Sequence, residues 1–290
     1  MRALRHEGFT LAEVLVVVVL ATFVFAAIYR SIGASQQVTQ SQIQRLHVQQ
    51  DTRTVALFLA YTLRELDATD GDVTAAADTG IVIRGMRWTG ALCADPAPTG
   101  SDVQLTLRDD LFSGLRRPVP TLDSLFLFRD GDPAIRQDDR WLLGDATAAS
   151  LGTCVDGAPA TILTMRVAEG SAAALGGAVS TGAPVRGFER DELFLLPDTG
   201  GAAWLARRTA RRIGGWTGSE KLAGPLFPNG LVLTYFDSTG APAATTATIT
   251  SVQIVVRGRS PQPARLTGGG VGYLRDSAIT RVALRNNPGF

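Results

Sequence analysis

The chain has 290 residues, of which 45% are hydrophobic and 19% are charged, and this composition excludes intrinsic disorder as the main state. Lysine and arginine (28) nearly balance aspartate and glutamate (27), so no strong global field attracts the molecule to nucleic acid or acidic lipid. Two cysteines and two histidines leave little material for a zinc module or a Ser-His-Asp triad. We therefore expect no metal and no cofactor.

The strongest signal in the sequence is an apolar run near the N-terminus. Of the 20 residues from Phe9 to Ile28, 17 are apolar, and a helix of that length matches the hydrocarbon core of a bilayer, which is about 30 Å thick. Arg2 and Arg5 precede the run, so the positive-inside rule predicts a cytoplasmic N-terminus and an outward location for the rest of the chain. A secretory signal peptide cleaved near Ala26-Ala27 stays open as an alternative.

One residue of this run, Glu13, is costly to place in lipid unless a partner neutralises it. It stands in the sequence Gly8-Phe9-Thr10-Leu11-Ala12-Glu13, which follows a short basic leader, residues 1–8. This arrangement resembles the class III signal of type IV pilins and type II secretion pseudopilins. The resemblance implies that prepilin peptidase cuts between Gly8 and Phe9 and that Phe9 is then N-methylated. It also implies that Glu13 pairs with the terminal amine of a neighbouring subunit during assembly. An ordinary membrane anchor with an interfacial glutamate is the alternative.

The same resemblance implies partners and a location. The partners are prepilin peptidase, other pilins or pseudopilins of the filament, an inner-membrane assembly platform, and membrane lipid before assembly. The protein is expected first in the bacterial inner membrane, crossing it once with a cytoplasmic N-terminus. It is then expected in a periplasmic or cell-surface filament.

The helical pattern continues beyond the membrane. A membrane half, residues 9–30, is followed by an amphipathic half, residues 31–66, which contains no proline. The glycine and acidic residues of Asp70-Gly71-Asp72 predict a turn after the helix. Five apolar residues have the spacing of one helix face: Val55, Phe58, Leu59, Leu63 and Leu66.

Residues 67–290 show short strand-like runs separated by Gly, Pro, Asp and Asn. We expect an α+β fold in which the long N-terminal transmembrane and amphipathic helix packs on an antiparallel β-sheet-rich head. Residues 85–185 show no family pattern, and we interpret them as an insertion. The predicted strands are Gly80 to Arg84, Val103 to Arg108, Ser124 to Arg129, Thr161 to Val167, Glu192 to Leu196, Ala203 to Arg208, Leu231 to Phe236 and Ser251 to Val256.

The order of these runs after Pro184 resembles the C-terminal meander of PilW-type minor pilins and J-type pseudopilins. It includes an aromatic residue followed by Asp237-Ser238-Thr239-Gly240, which we expect to form a turn with a positive φ at Gly240. Any β-hairpin can use such a turn, so the motif has low specificity. The resemblance therefore indicates only a subfamily within the pilin-like proteins.

Cys93 and Cys154 lie in polar, loop-like contexts on the predicted oxidising side of the membrane. A disulfide between them is expected, and two separate free thiols are the alternative.

A basic cluster lies between two tryptophans, Trp204 and Trp216, and consists of Arg207, Arg208, Arg211 and Arg212. Arginines next to aromatic rings are typical of single-strand binders. In a chain of balanced charge, such a cluster more often forms a solvated face or salt bridges, so nucleic acid is not an expected partner.

Enzyme signatures are absent from the sequence, including G-x-S-x-G, the P-loop, H-E-x-x-H and G-x-G-x-x-G. We therefore expect a non-enzymatic protein. The resemblance described above implies a minor or tip pilin of a bacterial type IV pilus. A J-type pseudopilin of a type II secretion system is the alternative within the class. A single-pass membrane-anchored periplasmic binding protein or hydrolase is the alternative from another class.

Overall fold

The computed structural model describes residues 11–130, 134, 139–168, 175, 179–211, 214–266 and 269–285. In this part of the chain one long helix, α1 (Leu11–Arg64), precedes a head built of β-strands. The α+β prediction is therefore confirmed. The strands are β1 (Val73–Ala77), β2 (Gly80–Ala91), β3 (Ala97–Thr99), β4 (Asp102–Arg108), β5 (Ser113–Gly114), β6 (Ser124–Arg129), β7 (Arg140–Thr153), β8 (Pro159–Val167), β9 (Pro184–Pro197), β10 (Ala203–Thr209), β11 (Glu220–Phe236), β12 (Ser251–Arg259), β13 (Ala264–Arg265), β14 (Val271–Gly272) and β15 (Arg275–Ala283).

The helix α1 is continuous because its 54 residues contain no proline and a single glycine. It ends at Arg64, slightly before the predicted residue 66, and the chain then turns around Asp67. The backbone N–H of Asp67 donates to Asp72 Oδ2 (2.9 Å), and its carboxylate accepts the N–H of Thr69 (3.0 Å). Gly71, with φ of +78°, completes the predicted turn.

One face of the second half of α1 packs on β11, β12 and β15. The predicted apolar stripe is confirmed except at Phe58, which is 38% exposed, because Phe58 lies to the side of the line through Val55, Leu59 and Leu63. The buried residues of this face are Val48, Thr52, Val55, Ala56, Leu59 and Leu63.

The helix approaches the sheet most closely at Gly258 of β12. A Cβ atom at this position would lie 2.1 Å from Thr52 Oγ1, far inside van der Waals contact. The hydroxyl of Thr52 donates to the carbonyl of Val48 at 2.6 Å, so it is satisfied within the helix. The lack of a side chain at Gly258 therefore sets the distance between α1 and the sheet.

Within the described residues, thirteen of the strands form one antiparallel sheet, and β13 and β14 pair separately. The main order of the large sheet is β15-β12-β11-β10-β9-β6-β7-β8-β4-β3, with β1, β2 and β5 paired beside it. The strand β9 joins its two halves, because its second part pairs with β10 and its first part pairs with β6. On its other edge β9 pairs with β2 from Pro184 to Phe194. The long β2–β9 ribbon thus runs through both halves of the head.

All eight predicted runs lie in strands, and β2, β9 and β11 extend well beyond them. The sequence analysis did not name β1, β3, β5, β7, β13, β14 or β15. In β7 the reason is visible, because Ala146, Ala148, Ala149 and Ser150 are small residues that give no alternating strand pattern. This segment is extended because it pairs with β8, which is a tertiary effect.

The head has two hydrophobic cores. The first lies between α1 and the sheet and includes Leu59, Leu63 and Leu205. The second includes Trp88, Leu125 and Met165, and all its members fall between residues 88 and 185. Residues 85–185 therefore contain a packing unit of their own, although their origin as an insertion stays a prediction.

Candidate assembly site on the N-terminal helix

The residues predicted to be processed, Gly8 and Phe9, lie outside the described residues. Glu13 lies in the first turn of the described helix, and its side chain is on the surface. Its predicted pairing with the terminal amine of a neighbouring subunit stays a prediction.

The first half of α1 contributes no residue to the described hydrophobic cores of the head. The helix is long and apolar enough to cross a membrane, and its most apolar segment has none of its residues buried in the protein. Leu15, Phe23 and Phe25 are each more than 60% exposed. Apolar side chains on this scale need lipid or other helices around them.

The second half of α1 also has an apolar surface that the sequence analysis did not identify. On the side away from the sheet, Leu57 is 56% exposed and Tyr61 67% exposed, and Phe58 lies next to them. Leu57 is only two positions from the fully buried Leu59. The helix is therefore apolar on two sides in its second half, and only one side is covered by the head.

The head is cross-linked as predicted. Cys93 and Cys154 form a disulfide with their Cα atoms 5.6 Å apart, within the range that the geometry requires. The bond ties the loop after β2 to the connection between β7 and β8. Arg108 supports the same connection through ion pairs with Asp156 and Asp110.

The predicted basic cluster does not form one continuous cationic surface within the described residues. Arg207 and Arg208 are consecutive on β10 and so point to opposite faces of the sheet. Arg207 Nη2 pairs with Glu220 Oε2 at 2.9 Å, and Arg208 pairs with Glu192. Arg208 also stacks on Trp216, 4.8 Å from the ring centroid. Arg211 ends the described segment, and Arg212 lies outside the described residues.

The predicted C-terminal turn is present. Gly240 has a φ of +83°, and its N–H donates to the carbonyl of Asp237 at 3.1 Å. The hydrogen bonds from the Thr239 side chain and from nearby backbone N–H groups hold the pKa of Asp237 below its usual value. The strands β9, β10, β11 and β12 are successive neighbours, so the predicted meander is also present.

A buried ionic network, missed by the sequence analysis, holds the two halves of the head together. Arg87 on β2 donates from Nε to Glu189 Oε2 (2.7 Å) and also pairs with Asp191 on β9. Arg116 pairs with both Asp123 and Glu189. Burial opposes the charge on Glu189, yet the hydrogen bonds from Arg87 and Arg116 outweigh it and hold its pKa below the usual value.

The network continues into the second core. Asp123 is fully buried, and its Oδ2 accepts hydrogen bonds from Trp88 Nε1 (2.9 Å) and from the backbone N–H of Val119 (2.7 Å). A sequence signal for this network does exist: Glu189 and Asp191 alternate within a strand, which would place both carboxylates on one face. Charged residues at such positions suggest solvent exposure, and only the tertiary structure shows that the face is covered.

Comparison with known families gives one match, on the N-terminal segment. The family described as the prokaryotic N-terminal methylation motif matches residues 4–29. The match spans Gly8, Phe9 and Glu13 and runs into the exposed apolar half of α1. Comparisons with curated proteins and with solved structures give no match. Residues 4–29 therefore carry the class III signal of type IV pilin-like proteins.

Proposed function

We propose that this protein is a minor or tip pilin of a type IV pilus, processed by prepilin peptidase and assembled through α1. One observation carries the proposal: the methylation motif of residues 4–29 runs without a break into a 54-residue helix that also bears the head. The role is that of a non-enzymatic structural protein, which acts by packing and recognition.

The geometry of α1 supports assembly through this helix. Among the described residues, none covers the apolar side chains of its first half, and its second half has the exposed patch of Leu57, Phe58 and Tyr61. The opposite face of the second half is buried in the first core. A subunit held in a filament by this helix would therefore carry its head at a defined position.

The size of the head supports a rare or terminal position in the filament. Cleavage after Gly8 would leave 282 residues (290 less 8). The second core adds a packing unit to the one that α1 supports. Such bulk is easier to place at a tip than in every turn of a helical lattice.

The processing experiment is intact-mass and N-terminal analysis of the native protein. We expect a chain that begins at N-methylated Phe9. The variant Gly8→Val should stay uncut in the membrane, because a side chain at this position obstructs the extended backbone in the protease cleft. Gly33→Val is the matched control, since Gly33 lies in the helix with open space around it, and this variant should be processed normally.

A mature chain that begins at Met1 would contradict the proposal and favour a membrane-anchored periplasmic binding protein or hydrolase. A mature chain that begins near Tyr29 would favour a cleaved secretory signal. If processing is as expected, deletion of the gene with separate scoring of twitching, DNA uptake and protein secretion distinguishes a pilus subunit from a J-type pseudopilin. Loss of secretion alone would favour the pseudopilin.

A further inference from the structure

A cleft of about 700 Å³ lies beside the end of α1, on the outer face of the second half of the sheet. Its floor is aromatic and consists of Phe126 on β6, Trp141 on β7 and Phe188 on β9. The ring centroids of Phe126 and Phe188 are 4.9 Å apart, and those of Phe126 and Trp141 are 6.4 Å apart. Phe126 alternates along β6 with the buried Leu125 and Leu127, so this floor lies on the side of the sheet opposite to the second core.

Two arginines lie against this aromatic floor. The Arg186 guanidinium is 4.3 Å from the centroid of Trp141, and the Arg84 guanidinium is 5.3 Å from the centroids of both Phe126 and Phe188. Within the described part of the chain, no carboxylate lies within ion-pair distance of either guanidinium. Arg84 donates only to a carbonyl, that of Asp70, at 3.0 Å.

The neighbouring Arg87 lines the same cleft but differs in its partners. Its guanidinium forms ion pairs with Glu189 and Asp191. Burial lowers the pKa of Arg84, and the nearby charges of Asp72 and Asp70 offset part of this effect. Arg186, which is stacked on Trp141, is therefore the planar cation that the cleft offers to an anion from outside.

The other wall of the cleft is acidic. Glu65, Asp70 and Asp72 lie there, next to Arg285. Carboxylates accept hydrogen bonds from hydroxyl groups and repel anions that bring no such donors, such as a phosphodiester backbone. A ligand that suits the whole cleft must therefore carry both carboxylates and neutral hydroxyl donors.

We propose that this cleft binds an acidic saccharide, that is, an oligosaccharide with carboxylate-bearing sugar rings. The guanidinium fork of Arg186 matches the geometry of a sugar carboxylate. The half-buried rings of Phe126 and Trp141 provide apolar surface for the C–H groups of sugar rings, and the acidic wall accepts hydrogen bonds from hydroxyl groups. The volume is in the range of small-ligand sites. The proposal does not depend on assembly into a filament.

The test is calorimetric titration of the full-length protein in detergent with trigalacturonate. Maltotriose is the neutral comparison, and an oligothymidylate of the same net charge is the phosphate comparison. We expect saturable binding of trigalacturonate, binding of maltotriose at least about tenfold weaker because the charge-assisted hydrogen bonds are lost, and no binding of the oligothymidylate.

Arg186→Gln should weaken trigalacturonate binding about tenfold for the same reason. Arg257→Gln is the matched control, because Arg257 is an exposed arginine on β12 that does not line this cleft, and it should leave the affinity unchanged. Thermal melting of each variant checks the fold. If Arg186→Gln fails to fold, Arg186→Lys should weaken binding about threefold, because it keeps the charge and loses the fork.

Three results would overturn the proposal: no saturable binding of trigalacturonate, equal affinity of folded Arg186→Gln and Arg257→Gln, or oligothymidylate binding that depends on Arg186. The last would assign the cleft to phosphate ligands. An unchanged affinity of Arg186→Lys would show that the fork of Arg186 does not hold the carboxylate.

Discussion

At the scale of single residues, the junction between the two halves of the head is the most constrained part of the molecule. Trp88 on β2 is 1% exposed, is paired in register with Gly187 on β9, and has its ring close to the backbone of that glycine. Its indole N–H is bonded to Asp123, so the ring cannot turn away without losing a buried hydrogen bond. Two predictions test this junction, one on space and one on charge.

The first prediction concerns space. A Cβ atom at residue 187 would lie 1.9 Å from Trp88 Cε2, so Gly187→Ala must displace either the ring or β9. We expect a loss of about 3 kcal/mol in the free energy of unfolding, at the upper end of overpacking effects. Urea denaturation in detergent measures it, with Gly200→Ala as the control, because residue 200 has open space around it. A loss below about 0.5 kcal/mol for Gly187→Ala would show that the ring moves freely.

The second prediction concerns charge. Glu189→Gln removes one carboxylate from Arg87 and Arg116, each of which keeps a second acidic partner. We expect the free energy of unfolding to fall by about 2 kcal/mol at neutral pH. The pKa of Glu189 in the folded protein is lowered from 4.5. Its stabilisation is therefore fully present above that value and is lost as pH falls through the folded pKa. The stability difference between the wild type and Glu189→Gln should shrink below about pH 4.5, as measured by urea denaturation across pH. A constant difference would exclude ionised Glu189 as its source.

At the scale of elements, α1 and the disulfide-linked hairpin β7–β8 stabilise different cores of the head. The helix provides the support on which the first core is built, because its buried face lies across β11, β12 and β15. The hairpin closes the second core, to which α1 contributes no residue, and the disulfide limits how far its connection can open.

The two faces of α1 can be tested with two leucines. Leu59→Ala removes a fully buried side chain from the first core and should lower the free energy of unfolding by about 3 kcal/mol. Leu57→Ala removes the same atoms from the uncovered face, where the side chain is 56% exposed, and should change it by less than about 0.5 kcal/mol. Thermal and urea unfolding measure both. Equal losses would mean that the uncovered face is buried in the isolated protein.

The disulfide should stabilise the head through the unfolded state. Cys93 and Cys154 are 61 residues apart, and the chain-entropy relation gives an upper value of about 4 kcal/mol for a loop of this length. Reductant should therefore lower the thermal midpoint. The double variant Cys93→Ser and Cys154→Ser should melt at the reduced midpoint and be indifferent to reductant. A wild-type midpoint that does not respond to reductant would show that packing alone holds the second core.

At the scale of the whole molecule, the proposed assembly into a filament depends on Glu13 of α1. A carboxylate within the apolar half of α1 is costly in lipid, and pairing with a terminal amine would offset that cost in an assembled filament. This pairing follows from the resemblance and is the part of the proposed function that a single variant can test.

Glu13→Val should insert in the membrane as well as the wild type or better, because it removes a charge from the apolar run. Incorporation into filaments should fall, because the amine of the neighbouring subunit loses its partner. Quantification of the protein in sheared filaments and in membranes, with Thr22→Val as a control in the same half of the helix, measures both. Coassembly of Glu13→Val at the wild-type level would show that Glu13 does not set the register.

Much of this protein was predictable from the sequence alone: the class III signal, the long helix, the β-rich head, the Asp237 to Gly240 turn and the disulfide between the only two cysteines. Each rests on local features, such as an apolar run, a spacing or a turn residue. Only the tertiary structure decided that a second apolar face of α1 is left uncovered by the head, that β7 pairs with β8, and that Arg87, Arg116, Asp123 and Glu189 are in contact. The physical reason is that these features depend on residues far apart in the chain. In the sequence, Glu189 cannot be distinguished from a solvent-exposed strand residue. Its partner Arg87 is next to it only because β2 pairs with β9.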